Sequence, residues 1–159
     1  MAAAVRLDPE GSFEAFDLPA DYTRQRLVLR GLLGGAVDGA VYHRRALIHV
    51  HGEGALSLGR ELNVAAWALA GIWRGAQLPY GLYGTAVVTG PNLGDGSSVE
   101  LDDDLAEQVR AVCGAVSDMV RVWRTRPPAC EATARAEVLA AARAAAGAVR
   151  AAAFSKDHG

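Results

Sequence analysis

The chain has 159 residues, of which 51% are apolar, enough for one compact domain with a sizeable core. Sixteen basic side chains against eighteen acidic ones leave a formal net charge of −2, so the overall balance does not provide the basic surface a strong nonspecific grip on nucleic acid needs, and only a local basic patch stays open. There is no run of about eighteen consecutive apolar residues, and the opening MAAAVRLDPEG lacks the apolar core of a signal peptide, so a cytoplasmic location and no membrane span are expected.

Residues 2–18 read as two short extended pieces around a turn supplied by Pro9, Gly11 and Ser12. Phe13 and Phe16 do not alternate strictly, which predicts a bulge in the second piece. ADYTRQRLVLRGLLGG reads as a helix with Asp21 as N-cap and Val28, Leu29, Leu32 and Leu33 as its apolar stripe. Gly34 and Gly35 end it. AVDGAVYHRRALIHVHG reads as a hairpin, with Val37, Val41 and Tyr42 on one arm, Arg44 and Arg45 at the turn, and Ala46 to His51 on the other.

A second helix carries Leu62, Ala66, Leu69 and Trp73 at helical spacing after Leu58, and stops at Gly75. LYGTAVVTG is a strand with small residues at both ends, and PNLGDGSS is a surface loop. The next helix has the clearest stripe: Leu105, Val109, Val112, Val116, Met119, Val120 and Trp123. Asp102, Asp103 and Asp104 stand at its start, and Arg121, Arg124 and Arg126 at its end. Both runs complement the helix dipole, each well-placed group contributing about 0.3–1 kcal/mol. Pro127 and Pro128 terminate it, and an alanine-rich helix follows from Cys130 to Phe154.

Paired strands and segregated helices predict an α+β fold: a small mixed or antiparallel sheet packed by helices, with a long alanine-rich C-terminal helix. Residues 1–126 form the expected α+β domain. Residues 127–159 form a helical extension whose small side chains allow close approach to a second copy. The thiols of Cys113 and Cys130, seventeen positions apart, fit no zinc spacing and are expected to be reduced and packed.

His49 and His51 lie two apart on a strand, so they point to one side, about 6–7 Å apart. With Glu53, they are the candidate metal ligands; Glu61 and His43 are further donors within reach of the hairpin. A catalytic metal site needs a third protein ligand, and positions four and five after His51 hold Ala55 and Leu56 rather than a carboxylate. The expected arrangement is therefore two imidazoles covering the solvated face of the ribbon, with Leu47, Ile48 and Val50 toward the core. Ser57 sits in GALSLG, not in a G-x-S-x-G nucleophile turn, and TGPNLGDGSS lacks the G-K-[ST] ending of a phosphate loop. No cofactor is expected.

Trp67, Trp73, Tyr80 and Tyr83 are candidates for lining a ligand pocket. Arg24, Arg26, Arg44 and Arg45 are candidates for clamping a phosphate-bearing ligand.

LVLRGLLGGAVDGAVYH, LIHVHGEG, LGRELNVAAWAL and GLYGTAVVTG, in that order, resemble a family of small domains of unknown function found in actinobacteria, their phages and other mobile elements. The resemblance spans about residues 4–112. It rests on the glycine between helix and hairpin, on Asn63 opening a helix, and on Gly84 and Gly90 around a strand. It implies an accessory protein that engages a host protein or a small molecule, and it supplies no catalytic residues. Members of the family tend to carry asparagine or an acid where His51 stands, which argues against a shared histidine chemistry.

The expected function is thus a non-catalytic binding protein, homo-oligomeric through its last helix, that acts on a host protein or sequesters a nucleotide-like ligand, for example in host-defence inhibition. The alternative is a metal-dependent enzyme using His49 and His51. A second alternative is a DNA-binding regulator using Arg121, Arg124 and Arg126, although nucleic acid is not the expected partner of a near-neutral chain.

Overall fold

The computed structural model describes residues 2–54 and 59–159. Leu58 and Ser57 lie outside them. The elements run β1 (Ala2–Leu7), β2 (Phe13–Leu18), α1 (Tyr22–Leu33), β3 (Val37–His43), β4 (Ala46–His51), α2 (Val64–Arg74), β5 (Ala86–Thr89), α3 (Asp103–Trp123) and α4 (Glu131–Asp157). The strands form one antiparallel sheet in the order β2-β1-β5-β4-β3, so the short, fully buried β5 is central. The fold is α+β. The expected bulge in β2 is absent, because β1 and β2 pair without a register shift from Ala2↔Leu18 to Leu7↔Phe13. The irregularity falls instead in the edge strand β3, between Ala40 and His43.

Helices cover both faces of the sheet. Val5, Leu7, Ala46, Ile48, Ala86 and Val88 alternate onto one face and join the apolar sides of α2 and α3 in the main core. Ala4, Leu18 and Val87 point to the other face, where α1 adds Leu29 and Leu33. Asp21 caps α1 by accepting a hydrogen bond from Arg24 N, and Gly34 ends it with a left-handed φ of 82° that a side chain would resist.

A two-point latch also holds α1. The buried Gln25 donates from Nε2 to Ser98 O and accepts from Ser98 N, both at 2.8 Å. The glycine-rich loop, expected at the surface after the strand, is thereby pinned to α1. Its own turn is closed by Leu93 N donating to Ser97 O and by the Ser97 hydroxyl donating to Asp95.

The stretch of α4 up to Ala146 buries Val138, Leu139, Ala142 and Ala146 in the main core against α2 and α3. Contact there is close: a Cβ on Gly71 of α2 would come within 3.2 Å of Leu139. The last turns are mostly exposed, with the Phe154 ring stacked on His158. Among the described residues, α4 is also the one helix long and apolar enough to cross a bilayer. Cys113 is packed as expected, its thiol donating to Gly11 O, and burial raises its pKa. Cys130 departs from expectation: it is exposed at the head of α4, because the turn after Pro128 faces solvent.

Candidate functional site

The histidine pair is not on a solvated face. His49 and His51 are 4% and 7% exposed, buried beneath α1 on the sheet face they share with Leu47. Glycine or valine stands across from each in β3: Gly39 opposite His49 and Val37 opposite His51. The His49 ring fills the space above Gly39, where a Cβ would come within 2.9 Å of Nδ1. The His51 ring likewise fills the space at Gly35, just past α1.

Thr89 Oγ1 donates to Gly90 O and so accepts from His49 Nε2 at 2.9 Å, which places the His49 proton on Nε2. Its Nδ1 has no hydrogen-bond partner among the described residues. His51 Nδ1 accepts from the backbone N–H of Glu53. Each imidazole is thus turned to a structural partner, and among the described residues no three His, Cys, Asp or Glu side chains converge on a point where a metal ion could sit.

Burial, reinforced by the nearby Arg26 guanidinium, pushes the His49 pKa down from 6.5 to about 4. In the unfolded chain the ring returns to its ordinary value, so between those pH values the unfolded state binds more protons. Stability therefore falls as pH drops through this window and is complete above it. The expected loss from His49 between pH 7 and pH 5 is about 2 kcal/mol. Urea midpoints at the two pH values, compared with those of His49→Gln, check this. The variant should lose most of the difference, and an identical pH dependence would assign the effect elsewhere. His43, whose pKa is also lowered, first by burial and then by Arg45 and Arg44, acts in the same direction and is common to both proteins.

The candidate arginines are not gathered. Arg24 is exposed on α1 and Arg26 is half-buried beside His49, on the opposite side of the sheet from α2 and α3. Arg44 is exposed at the β3–β4 turn. Arg45 is bound to Asp102 at 2.7 Å and Asp104 at 2.8 Å, joining that turn to the start of α3 and holding the Asp104 carboxyl below its usual range.

Three of the four candidate aromatics converge; the fourth, Trp73, packs against the main core instead, with its Nε1 donating to Gln108 and its ring against His43. Trp67, Tyr80 and Tyr83 line one cavity of about 660 Å³ between the start of α2, the 77–83 segment, the end of α3 and the start of α4. Trp123, not singled out as a site residue from sequence, adds a fourth ring, and Leu62, Leu78 and Val138 complete much of the apolar wall.

The backbone explains the placement. Asn63 N donates to Leu82 O and Gly84 N donates to Glu61 O, so 61–63 and 82–84 run as a short antiparallel pair that sets Leu62 beside Tyr83 at the rim. Three rings have their polar atoms engaged by the protein. Trp67 Nε1 donates to Leu78 O, Trp123 Nε1 donates to Glu137, and the Tyr80 hydroxyl meets that of Tyr42 at 2.9 Å. What these rings offer a ligand is therefore mainly their carbon surface. Gln77, Glu131 and Arg135 are the charged or amide side chains of the wall, and Arg135 is bound to Glu131 at 2.6 Å. Arg45 stands at the far end of the 21-residue α3 from Trp123, roughly 30 Å along the axis.

No family model, curated protein or solved structure matches this chain.

Proposed function

We propose that this is a non-catalytic binding protein whose site is the aromatic cleft, and that its ligand presents a flat, ring-bearing group. The convergence of four aromatic side chains on one cavity carries the reading, with three of them keeping their polar atoms bonded to the protein. Ligand sites are commonly apolar concavities of about 300–1,000 Å³ with few polar groups, and the cleft has that size and character. Stacking on indole and phenol faces selects a planar body. The dispersed arginines favour such a body over a phosphate-clamped one. The resemblance to small accessory domains of mobile elements supports the same class, with a host molecule as the target.

A panel of free nucleobases, nucleosides and substituted indoles, followed by indole fluorescence and thermal shift, tests the reading. At least one ring compound should quench the fluorescence and raise the melting temperature. Tyr80→Ala, at a half-exposed position, and Trp123→Leu should each weaken its binding about tenfold. Binding unaffected by both substitutions, or none by any ring compound or ring-bearing peptide, would sink the proposal.

A further inference from the structure

Three of the four rings in the aromatic cleft have their polar atoms bonded within the protein, and the fourth does not. The Tyr83 hydroxyl has no hydrogen-bond partner among the described residues, and neither has the side-chain amide of the exposed Gln77. These two stand at the two ends of the 77–83 segment that forms one wall. Tyr83 is set in place at Gly81, where a Cβ would come within 2.9 Å of its ring and 2.8 Å of Leu62, so the ring and Leu62 fill the space beside that glycine. An amide and a phenol each supply both a donor and an acceptor. Next to stacking faces, such groups pair with the edge of a heterocycle that carries N–H, C=O or amino groups, as amide side chains pair with base edges. A hydrocarbon ring has no such edge.

The charges of the wall cancel. Arg135 is the one cation among its described residues, and it is bound to Glu131 at 2.6 Å. Glu131 also stands in the first turn of α4, where it already answers the positive end of that helix. Arg74, near Tyr80, does not line the cavity: its guanidinium lies over the Tyr42 ring, 5.2 Å from the centroid, with Nη1 3.5 Å from the Tyr80 hydroxyl. An anionic substituent on a ligand therefore finds no unpaired cation in the wall and meets the Glu131 carboxylate.

We infer that the cleft takes an uncharged heterocycle with a hydrogen-bonding edge, of the kind a nucleobase presents: the ring stacks on the aromatic faces, Gln77 and Tyr83 pair with its edge, and the Glu131–Arg135 pair disfavours its phosphorylated forms. The inference rests on the aromatic cleft being a binding site and adds the chemistry of what enters it.

Equilibrium dialysis of the whole protein against the common ribonucleosides, the corresponding monophosphates and naphthalene, a flat ring without a polar edge, tests it. At least one nucleoside should bind, and its monophosphate should bind no more tightly. Gln77→Leu and Tyr83→Phe should each weaken the nucleoside about fivefold and leave naphthalene within about twofold. Retained naphthalene binding shows that the cleft of each variant is intact. Glu131→Gln, which releases Arg135, should bind the monophosphate about tenfold more tightly than the parent does and leave the nucleoside unchanged. A parent that prefers the monophosphate, nucleoside binding indifferent to both edge substitutions, an equal loss of naphthalene, or no gain in Glu131→Gln would overturn the inference. If naphthalene or an indole binds and no nucleoside does, only the heterocycle inference fails; if no ring compound binds at all, the aromatic-cleft reading fails with it.

Discussion

Asn63→Ala should destabilise the protein by about 3 kcal/mol, lowering the melting temperature by roughly 6–12 °C for a chain of this size. Asn63 is 1% exposed and makes three hydrogen bonds. Its Oδ1 accepts from Ala66 N and caps α2, while Nδ2 donates to Leu7 O at 3.0 Å and Gly84 O at 2.9 Å. Alanine removes the cap, worth about 1 kcal/mol, and leaves two buried carbonyls each short of a donor, at about 1 kcal/mol apiece. Asn63→Asp keeps the cap acceptor but turns an oxygen toward both carbonyls, so it should be no better. Urea unfolding followed by tryptophan fluorescence measures both variants. A loss under about 1 kcal/mol for alanine would show that the Leu7 and Gly84 bonds contribute little. The substitution also bears on function, because the same residue holds the start of α2 and the 82–84 segment that form one wall of the aromatic cleft.

Gly90→Ala should be at least as damaging, about 3 kcal/mol or more, through backbone overlap rather than a lost bond. A Cβ there would fall on the carbonyl oxygen of Glu100 and within 2.8 Å of that of Val99. Neither is the end of a flexible side chain, so the 90–100 segment must move. Moving it breaks the bond from Gly90 N to Val99 O and strains the adjoining latch between Ser98 and Gln25. Amide exchange in α1 should accelerate with the loss of stability. Gly94→Ala, in the same loop, is the control. A Cβ at that position meets nothing within 4 Å, so the effect should stay within about 0.5 kcal/mol. Equal effects at the two glycines would refute the steric account.

Local signals place most of the elements because capping and periodicity are local physics. Asp21, Gly34, Asn63 and Gly75 sit at helix ends where their side-chain acceptors or left-handed backbone are needed. The stripe on α3 is buried at Leu105, Val109, Val112 and Val116 as its spacing requires. The burial of His49 and His51 departs from expectation for an equally physical reason. Alternation tells which residues share a sheet face, but not whether that face is wet. Treating imidazole as polar assigned the face of His49 and His51 to solvent, whereas α1 lies over it. Two signs of this were present: the stripe of α1 needs a sheet face to bury against, and small residues, Gly35 and Gly39, occupy the positions over which the rings lie.

Trp67, Tyr80 and Tyr83 were recognisable as ring-bearing candidates, but Trp123 read as one more member of a core stripe. Its position in the cleft depends on α4 folding back along α3 after Pro127 and Pro128. Composition, caps and hydrophobic period by themselves determined the α+β class and the order of strands and helices, since each depends on neighbours within a few positions along the chain. Tertiary structure decided that the imidazoles are buried, that Arg45 is committed to Asp102 and Asp104, and that four rings from distant segments enclose one cavity. Those outcomes depend on which faces meet across large sequence separations, and burial and charge pairing are properties of that meeting rather than of any stretch of sequence.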